Sequence, residues 1–414
     1  MIYLYSKYRL FHENSGVSII MAITLFLLFK NAFIIQIFFL KMSICLYLSI
    51  YFISNFIILN ILYLKVRKYY RPLTYKDKET GKIIDVHKLY EPFSAKDKFS
   101  YWKMMLGGIF FFPIKFAILL SIIIMFMIHL RIFSFFYSNQ DKDKSQYEKL
   151  SKIMKFYNGL FLFFSWIKLQ EKKIDCTEVY KKYLGPDYDF NQKKYSSITC
   201  NHIGFYDVIT NMYLNACGFI AKEEISRYIF IGHIAQYINC LFVNRENVES
   251  RKKTFDKLYE RQSTYLEGKC YAPLVLFPEG TTTSGRNILK FKKGAFYHLF
   301  PIKPEIIFID PNSQYHIAVG AQNIFINTCT FLCFFGTSLY YSYMPIINPT
   351  EYMFKNFSHF GKEKWEIYTE VVRKIYCEVG GFKESNLRYR DSHEYYEAMV
   401  NGKYESDKIK KKNK

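Results

Sequence analysis

Close-set cysteines are nearly absent from this chain: only Cys329 and Cys333 fall together, one helical turn apart in an apolar run. The nine cysteines are scattered, with no Cys-x-x-Cys or Cys/His ligand pattern, and their odd number does not suit a disulfide framework. They read as reduced core residues of a cytosol-facing protein, so no metal is expected. Also missing is the basic, apolar, small-residue leader that is cleaved on secretion, and the apolar segments near the amino terminus are therefore expected to stay. There is no internal repeat. Acidic residues are few, 36 against 57 Lys and Arg, for a formal charge of +21. That excess comes without an RNP, zinc-finger or helix-turn-helix signature, so nucleic acid is not an expected partner. The surplus of Lys, Asn, Ile, Tyr and Phe matches the bias of an AT-rich coding sequence, which raises basic and aromatic counts without selection for binding.

What the chain does have is apolar length. Of 414 residues, 50% are hydrophobic and 20% aromatic, and the apolar residues concentrate before position 136, as in a membrane protein. Spans are predicted near 17–40 and 42–64, each long enough to cross a bilayer and nearly free of charge. A lysine-rich loop follows from Lys65 to Lys103. Met104 to Phe136 is apolar again but is interrupted by Pro113 and Lys115, which predicts a bent, re-entrant or interfacial hairpin whose lysine reaches the interface. With the charged linker Ser138 to Lys152, this sets a membrane region at 1–148, a globular α/β domain at 149–402 and a basic tail at 403–414. Within the domain, strands are predicted at Tyr195–Cys200, Leu241–Val243 and Leu274–Phe277, with helices at Val208–Leu214 and Val248–Tyr265. Each strand runs into a polar cluster, and strand ends of an α/β sheet are where sites assemble.

The first cluster is Asn201-His-Ile-Gly-Phe-Tyr-Asp207. On a regular helix His202 and Asp207 would point about 140° apart, so they meet only if the chain turns between them, which Gly204 permits. Asp207 at the start of the next helix would then fix which imidazole nitrogen carries the proton and leave the other as a base. By itself the pattern is weak, and is far more often that of a helix-capping aspartate beside an incidental surface histidine.

The combination of clusters carries more. Asn201 to Asp207, Phe242-Val-Asn-Arg245, Phe277-Pro-Glu-Gly-Thr281 and Pro301-Ile-Lys-Pro304 occur in that order, and this order resembles the glycerolipid acyltransferase family. Arg245 to Lys253, Gly280 to Gly285 and Phe291 to Phe296 resemble its branch that reacylates lysophosphatidylcholine and lysophosphatidylethanolamine, with the likeness running from about position 100 to 402. The resemblance implies an α/β acyltransferase domain, a mixed sheet flanked by helices, behind amino-terminal membrane helices. It implies catalysis by His202 and Asp207, with acyl-CoA as co-substrate, no permanently bound cofactor and no acyl-enzyme. Arg245 would meet the lysophospholipid phosphate, Gly280 and Thr281 would line the head group, and Glu279 would orient Arg245 or bind head-group hydroxyls. Two departures stand out: Gly204 replaces a serine common in the family, and no Asp-x-[Asp/Asn]-x-[Asp/Asn]-Gly calcium loop is present.

Lys290, Lys292 and Lys293 read either as contacts for CoA phosphates or as a solvated basic face. The apolar stretch Ile324 to Tyr341 reads as a membrane-docking or acyl-groove element, or as buried core. Rival functions are acylation of lysophosphatidic acid or glycerol 3-phosphate with the same base and arginine, and a non-enzymatic lipid-binding membrane protein. An endoplasmic reticulum membrane location with a cytosolic active site is expected from the basic flanks of the spans, from the cytosolic supply of acyl-CoA and from the dilysine-like Lys411-Lys412-Asn413-Lys414.

Overall fold

The computed structural model describes residue 30 and residues 44–76, 81–94, 99–137, 143–244, 248–318 and 322–401. The chain divides into two units, Met1–Ile58 and Leu59–Lys414. Apart from residue 30, the span predicted near 17–40 falls outside the described residues, as does the tail at 403–414. The second predicted span is helix α1, Ile44–Tyr70, which closes with Arg67 and Lys68 in its last turn, where cations suit the negative end of the helix dipole.

Helix α2, Tyr101–Phe136, corrects the expected hairpin. It is one helix of 36 residues, capped by the Ser100 hydroxyl, which accepts from the Lys103 N–H, and it runs straight through Pro113. The proline removes one N–H from the ladder, and packing outweighs that loss. Lys115 does not reach out to an interface. It is buried, donates to the Phe334 carbonyl at 2.9 Å and lies 3.7 Å from the centre of the Trp166 ring. α1 (Leu46–Tyr70) and α2 are both long and apolar enough to cross a membrane by length and composition.

Helix α3, Lys144–Phe164, follows, capped by the Asp143 carboxylate. Seven strands then form one mixed sheet: β1 Ile167–Glu171, β2 Ser197–Cys200, β3 Gly218–Lys222, β4 Leu241–Val243, β5 Leu274–Leu276, β6 Ile302–Ile309 and β7 Thr337–Tyr343. Their spatial order is β1-β7-β6-β2-β5-β3-β4. Every neighbouring pair is parallel except β6 with β7. Between strands run α4 Phe205–Asn215, α5 Ile231–Tyr237, α6 Val248–Leu266 and α7 Ile324–Leu332, and after β7 come α8 Lys364–Gly380 and α9 Tyr389–Asn401.

The two-residue period of a strand divides the core into two layers. In β5, Val275 faces a cluster built with α2, α3, α4 and α7, while Leu274 and Leu276 face a second cluster with α8. The first cluster holds Met104, Leu119 and Phe126 of α2 together with sheet residues, so the boundary predicted at 148/149 falls inside a continuous core. The stretch Ile324 to Tyr341 is core at Phe331, Leu332 and Leu339 but exposed at Ile324, Phe325 and Phe335. Of the nine cysteines, the eight whose side chains are described are free thiols, and all but the half-buried Cys240 are buried.

A third small cluster joins residues 69–93 to α9 and Leu289. Here His87 meets the Tyr395 hydroxyl at 2.7 Å, Tyr90 stacks on Tyr395, and the Ser284 N–H donates to the Pro92 carbonyl. Part of the predicted basic loop is therefore a strap folded onto the domain.

Candidate active site

β2 is buried along its whole length, and its register puts Ile198 opposite Val275 and Thr199 opposite Leu276. The Asn201 and His202 that follow β2 therefore lie level with the Phe277 to Gly280 turn that follows β5. Asn201 clamps this edge. Its amide oxygen accepts from the Ile307 N–H at 2.8 Å, and its amide nitrogen donates to the Ile307 carbonyl at 3.0 Å. The chain then turns, with Gly204 at the cap of α4, and Asp207 sits in the first helical turn, where a negative charge is favoured.

A single oxygen, Asp207 Oδ2, gathers three donors: the His202 Nδ1–H at 2.9 Å and the N–H groups of Ile203 and Gly204 at 2.5 and 2.9 Å. This holds the proton on Nδ1 and leaves Nε2 with its lone pair, the form a general base requires. Asp207 is fully buried while His202 keeps 20% of its side-chain exposure, so the base is reachable and its anchor is not. The imidazole lies flat on the Phe277 ring, 4.0 Å between centres and 12° between planes.

Glu279 is buried, and its carboxylate is turned inward onto backbone N–H groups. Its Oε1 accepts from the His202 N–H at 2.9 Å and its Oε2 from the Leu289 N–H at 3.0 Å. Burial pushes its carboxyl up to about 7, with the two N–H donors pulling back toward the charged form. Gly280 holds φ at 67°, a backbone conformation that other residues rarely adopt, with the flexible end of the Lys292 side chain over it. Thr281 is half-buried beside it. The Thr283 N–H donates to the His202 carbonyl at 2.8 Å, a contact that nothing in the Thr281-Thr-Thr283 run singles out.

Arg245 lies outside the described residues. The strand leading to it, β4, pairs Val243 with Lys222 of β3 on the same edge of the sheet as His202 and Glu279. Of the lysines after the Gly280 turn, Lys292 belongs to this edge: its N–H donates to the Pro278 carbonyl at 2.8 Å. The Lys292 ammonium is 5.3 Å from the Tyr389 ring centre, and that of Lys222 is 5.8 Å from the same ring. Lys293 turns away, to the rings of Phe255 and Tyr297. Among the described residues no His, Cys, Asp and Glu side chains group as metal ligands.

A family model described as Acyltransferase matches residues 189–307, which contain every one of these groups except Tyr389. The chain is 27% identical to Lysophospholipid acyltransferase LPEAT1 of Arabidopsis thaliana over 56% of this chain and 55% of that protein. It is 27% identical to Lysophosphatidylcholine acyltransferase 1 of Homo sapiens over 46% of this chain and 34% of that protein. The matched stretch thus spans about half of the first relative and a third of the second. Among solved structures it is similar to the 1-acyl-sn-glycerophosphate (LPA) acyltransferase PlsC from Thermotoga maritima. There the TM-score is 0.41 and the identity 17%, over 62% of this chain and 89% of that one. That likeness is loose, and the architecture rests on the strand order and register given above. The motif order, the matching model and the relatives agree in making this chain similar to the glycerolipid acyltransferase family, in an acyltransferase match that covers residues 189–307.

Proposed function

We propose that the chain transfers a fatty acyl group from acyl-CoA to the free glycerol hydroxyl of a lysophospholipid, with lysophosphatidylcholine or lysophosphatidylethanolamine as acceptor. His202 Nε2 takes the hydroxyl proton as the oxygen attacks the thioester carbonyl. The tetrahedral intermediate then expels the CoA sulfur, which leaves with the proton that the imidazolium returns. Asp207 holds the ring and offsets its charge during the step. Glu279 positions the His202 backbone from within, Gly280 and Thr281 border the head group, and Arg245 takes the acceptor phosphate with its forked charge.

One observation carries the reading: Asp207 Oδ2 bonded at 2.9 Å to the Nδ1 of a partly exposed His202 at a sheet edge. A lipid carrier has no need of a base so held. Lys222 and Lys292 beside the same edge support an anionic acceptor. The same reading places the enzyme in the endoplasmic reticulum membrane with its active site toward the cytosol, in keeping with the basic flank of α1. The test is a panel of acceptors against acyl-CoA donors with the purified full chain. Turnover highest on lysophosphatidylcholine or lysophosphatidylethanolamine is expected. Preference for lysophosphatidic acid or glycerol 3-phosphate would replace the acceptor, and no acyl-CoA-dependent product with any of them would overturn the enzyme.

A further inference from the structure

Arg373 of α8 is buried, with 2% of its side chain exposed, and lies beyond the residues 189–307 that the acyltransferase model matches. An arginine leaves water this far only when its guanidinium is paired on several sides. Its Nε–H donates to the Leu289 carbonyl at 3.0 Å and its Nη2 to the Ser385 carbonyl at 3.0 Å. Nη1 donates to the Glu370 carboxylate at 2.6 Å, with the Glu384 carboxylate 3.7 Å from the same nitrogen. The charge is thus balanced by acids, while two arms of the fork end on backbone.

Those two carbonyls flank a short bridge. Asn287–Ile288 pairs in parallel with Lys383–Glu384, and the Ser385 N–H donates to the Ile288 carbonyl at 3.0 Å. The peptide between Ile288 and Leu289 is therefore gripped at its carbonyl, and its N–H is left to donate to Glu279 Oε2 at 3.0 Å. Glu279 Oε1 in turn accepts from the His202 N–H at 2.9 Å. One turn further along α8, the buried Tyr376 hydroxyl donates to the carbonyl of Thr199, near the end of β2 and just ahead of His202, at 2.6 Å. One helix thus holds both the strand that delivers the histidine and the loop that stands behind Glu279.

We propose that Arg373 is a positioning residue for the acyl transfer: through the Leu289 backbone it keeps the Glu279 carboxylate where it fixes His202. The inference rests on the acyltransferase reading above. The titratable groups facing Glu279 are His202, Asp207, Cys200 of β2 and Cys377 of α8. Burial raises both thiols, Cys377 to about 12, while the Leu289 N–H favours the charged form of Glu279.

The test is steady-state kinetics of the purified full-length chain. Arg373→Lys keeps the charge and puts a methylene where Nε stands. We expect kcat to fall by about two- to tenfold, the worth of one hydrogen bond, with both KM values unchanged. The pH at which the rate halves on the acid side should rise by about one, because the carboxylate loses its hold on a donor. In a Glu279→Gln background no carboxylate remains to be held, so adding Arg373→Lys should change kcat by less than about twofold and leave the pH profile in place. A loss by the same factor at every pH, or effects of the two substitutions that multiply, would reduce Arg373 to a structural tie and overturn the proposal. Arg373→Gln, whose amide nitrogen takes the place of Nε without the charge, should keep the parental acid limb even if the lysine variant does not fold, and a moved limb there would also overturn it. An active parent with a lysine variant of parental rate and profile overturns this inference alone, whereas an inactive parent overturns the acyltransferase reading and this inference with it.

Discussion

Asp207 shows how much one atom is asked to do. Its Oδ2 fixes the imidazole, closes the turn through Ile203 and Gly204, and neutralises the start of α4. Asp207→Asn keeps the shape but has only one acceptor oxygen and no charge. We expect kcat to fall by about a hundred- to ten-thousand-fold with KM for the acceptor little changed, measured by steady-state kinetics. Glu279 acts on the same loop from below. With its carboxyl at about 7, both oxygens accept N–H bonds above that pH. As pH falls through about 7 the acid protonates, and the His202 or the Leu289 N–H loses its acceptor. Glu279→Gln imposes that loss at every pH, an effect of about 1–3 kcal/mol. Its rate deficit should be largest at pH 8 and shrink toward pH 6, and a deficit independent of pH would contradict this account. For Arg245→Lys we expect a raised acceptor KM with the acyl-CoA KM unchanged, because lysine keeps the charge and loses the fork. The histidine and aspartate were legible because four intervening positions with a glycine leave few ways to join them. The inward turn of Glu279 was not, because motif spacing does not say which side of a turn a carboxylate faces.

At the scale of elements, β6 holds the second unusual acid. Glu305 is buried opposite Cys200, with Asn215 donating to its oxygens at 3.1 and 3.0 Å and Lys303 at 3.7 Å, and burial still lifts its carboxyl to about 7. The unfolded chain releases this proton near the ordinary 4.5 and the folded one near 7. Stability from this group is therefore lost as pH rises from about 4.5 to about 7 and is constant above. Glu305→Gln removes that dependence. In detergent-solubilised protein the variant's melting temperature should gain on the parent between pH 5 and pH 8, and a difference that does not change with pH would show that the ion pair with Lys303 governs instead.

The strand predictions at Leu241–Val243 and Leu274–Phe277 were legible to within a residue because short apolar runs ended at polar turns. α2 was not. Pro113 and Lys115 read as a break, since only the folded chain supplies the Phe334 carbonyl and the Trp166 ring that accept the lysine. Nor does sequence reveal that Gly107 of α2 meets the Cys333 carbonyl so closely that a Cβ would collide with backbone. Gly107→Ala should destabilise the fold by about 1–3 kcal/mol, seen as a lower denaturation midpoint.

For the molecule as a whole, segments far apart in sequence converge on one loop. The residue 69–93 strap, α9 and the 283–289 loop pack together, and within that loop Ser284 bonds the strap while the adjacent Thr283 bonds His202. The strap therefore shares a side with the catalytic edge. Composition indicated a membrane chain with a separate domain behind it. The folded chain instead shares α2 and α3 between the membrane-apolar region and the sheet core, a fusion set by tertiary packing and visible in no local pattern. The central claim is that His202 is the base of an acyl transfer, and the most direct measurement is acyl-CoA:lysophospholipid turnover by purified His202→Ala free of other acyltransferases, with folding checked by an unchanged melting temperature. The account predicts a loss of about a hundred- to ten-thousand-fold with the fold intact, and near-parental turnover by this variant would contradict it.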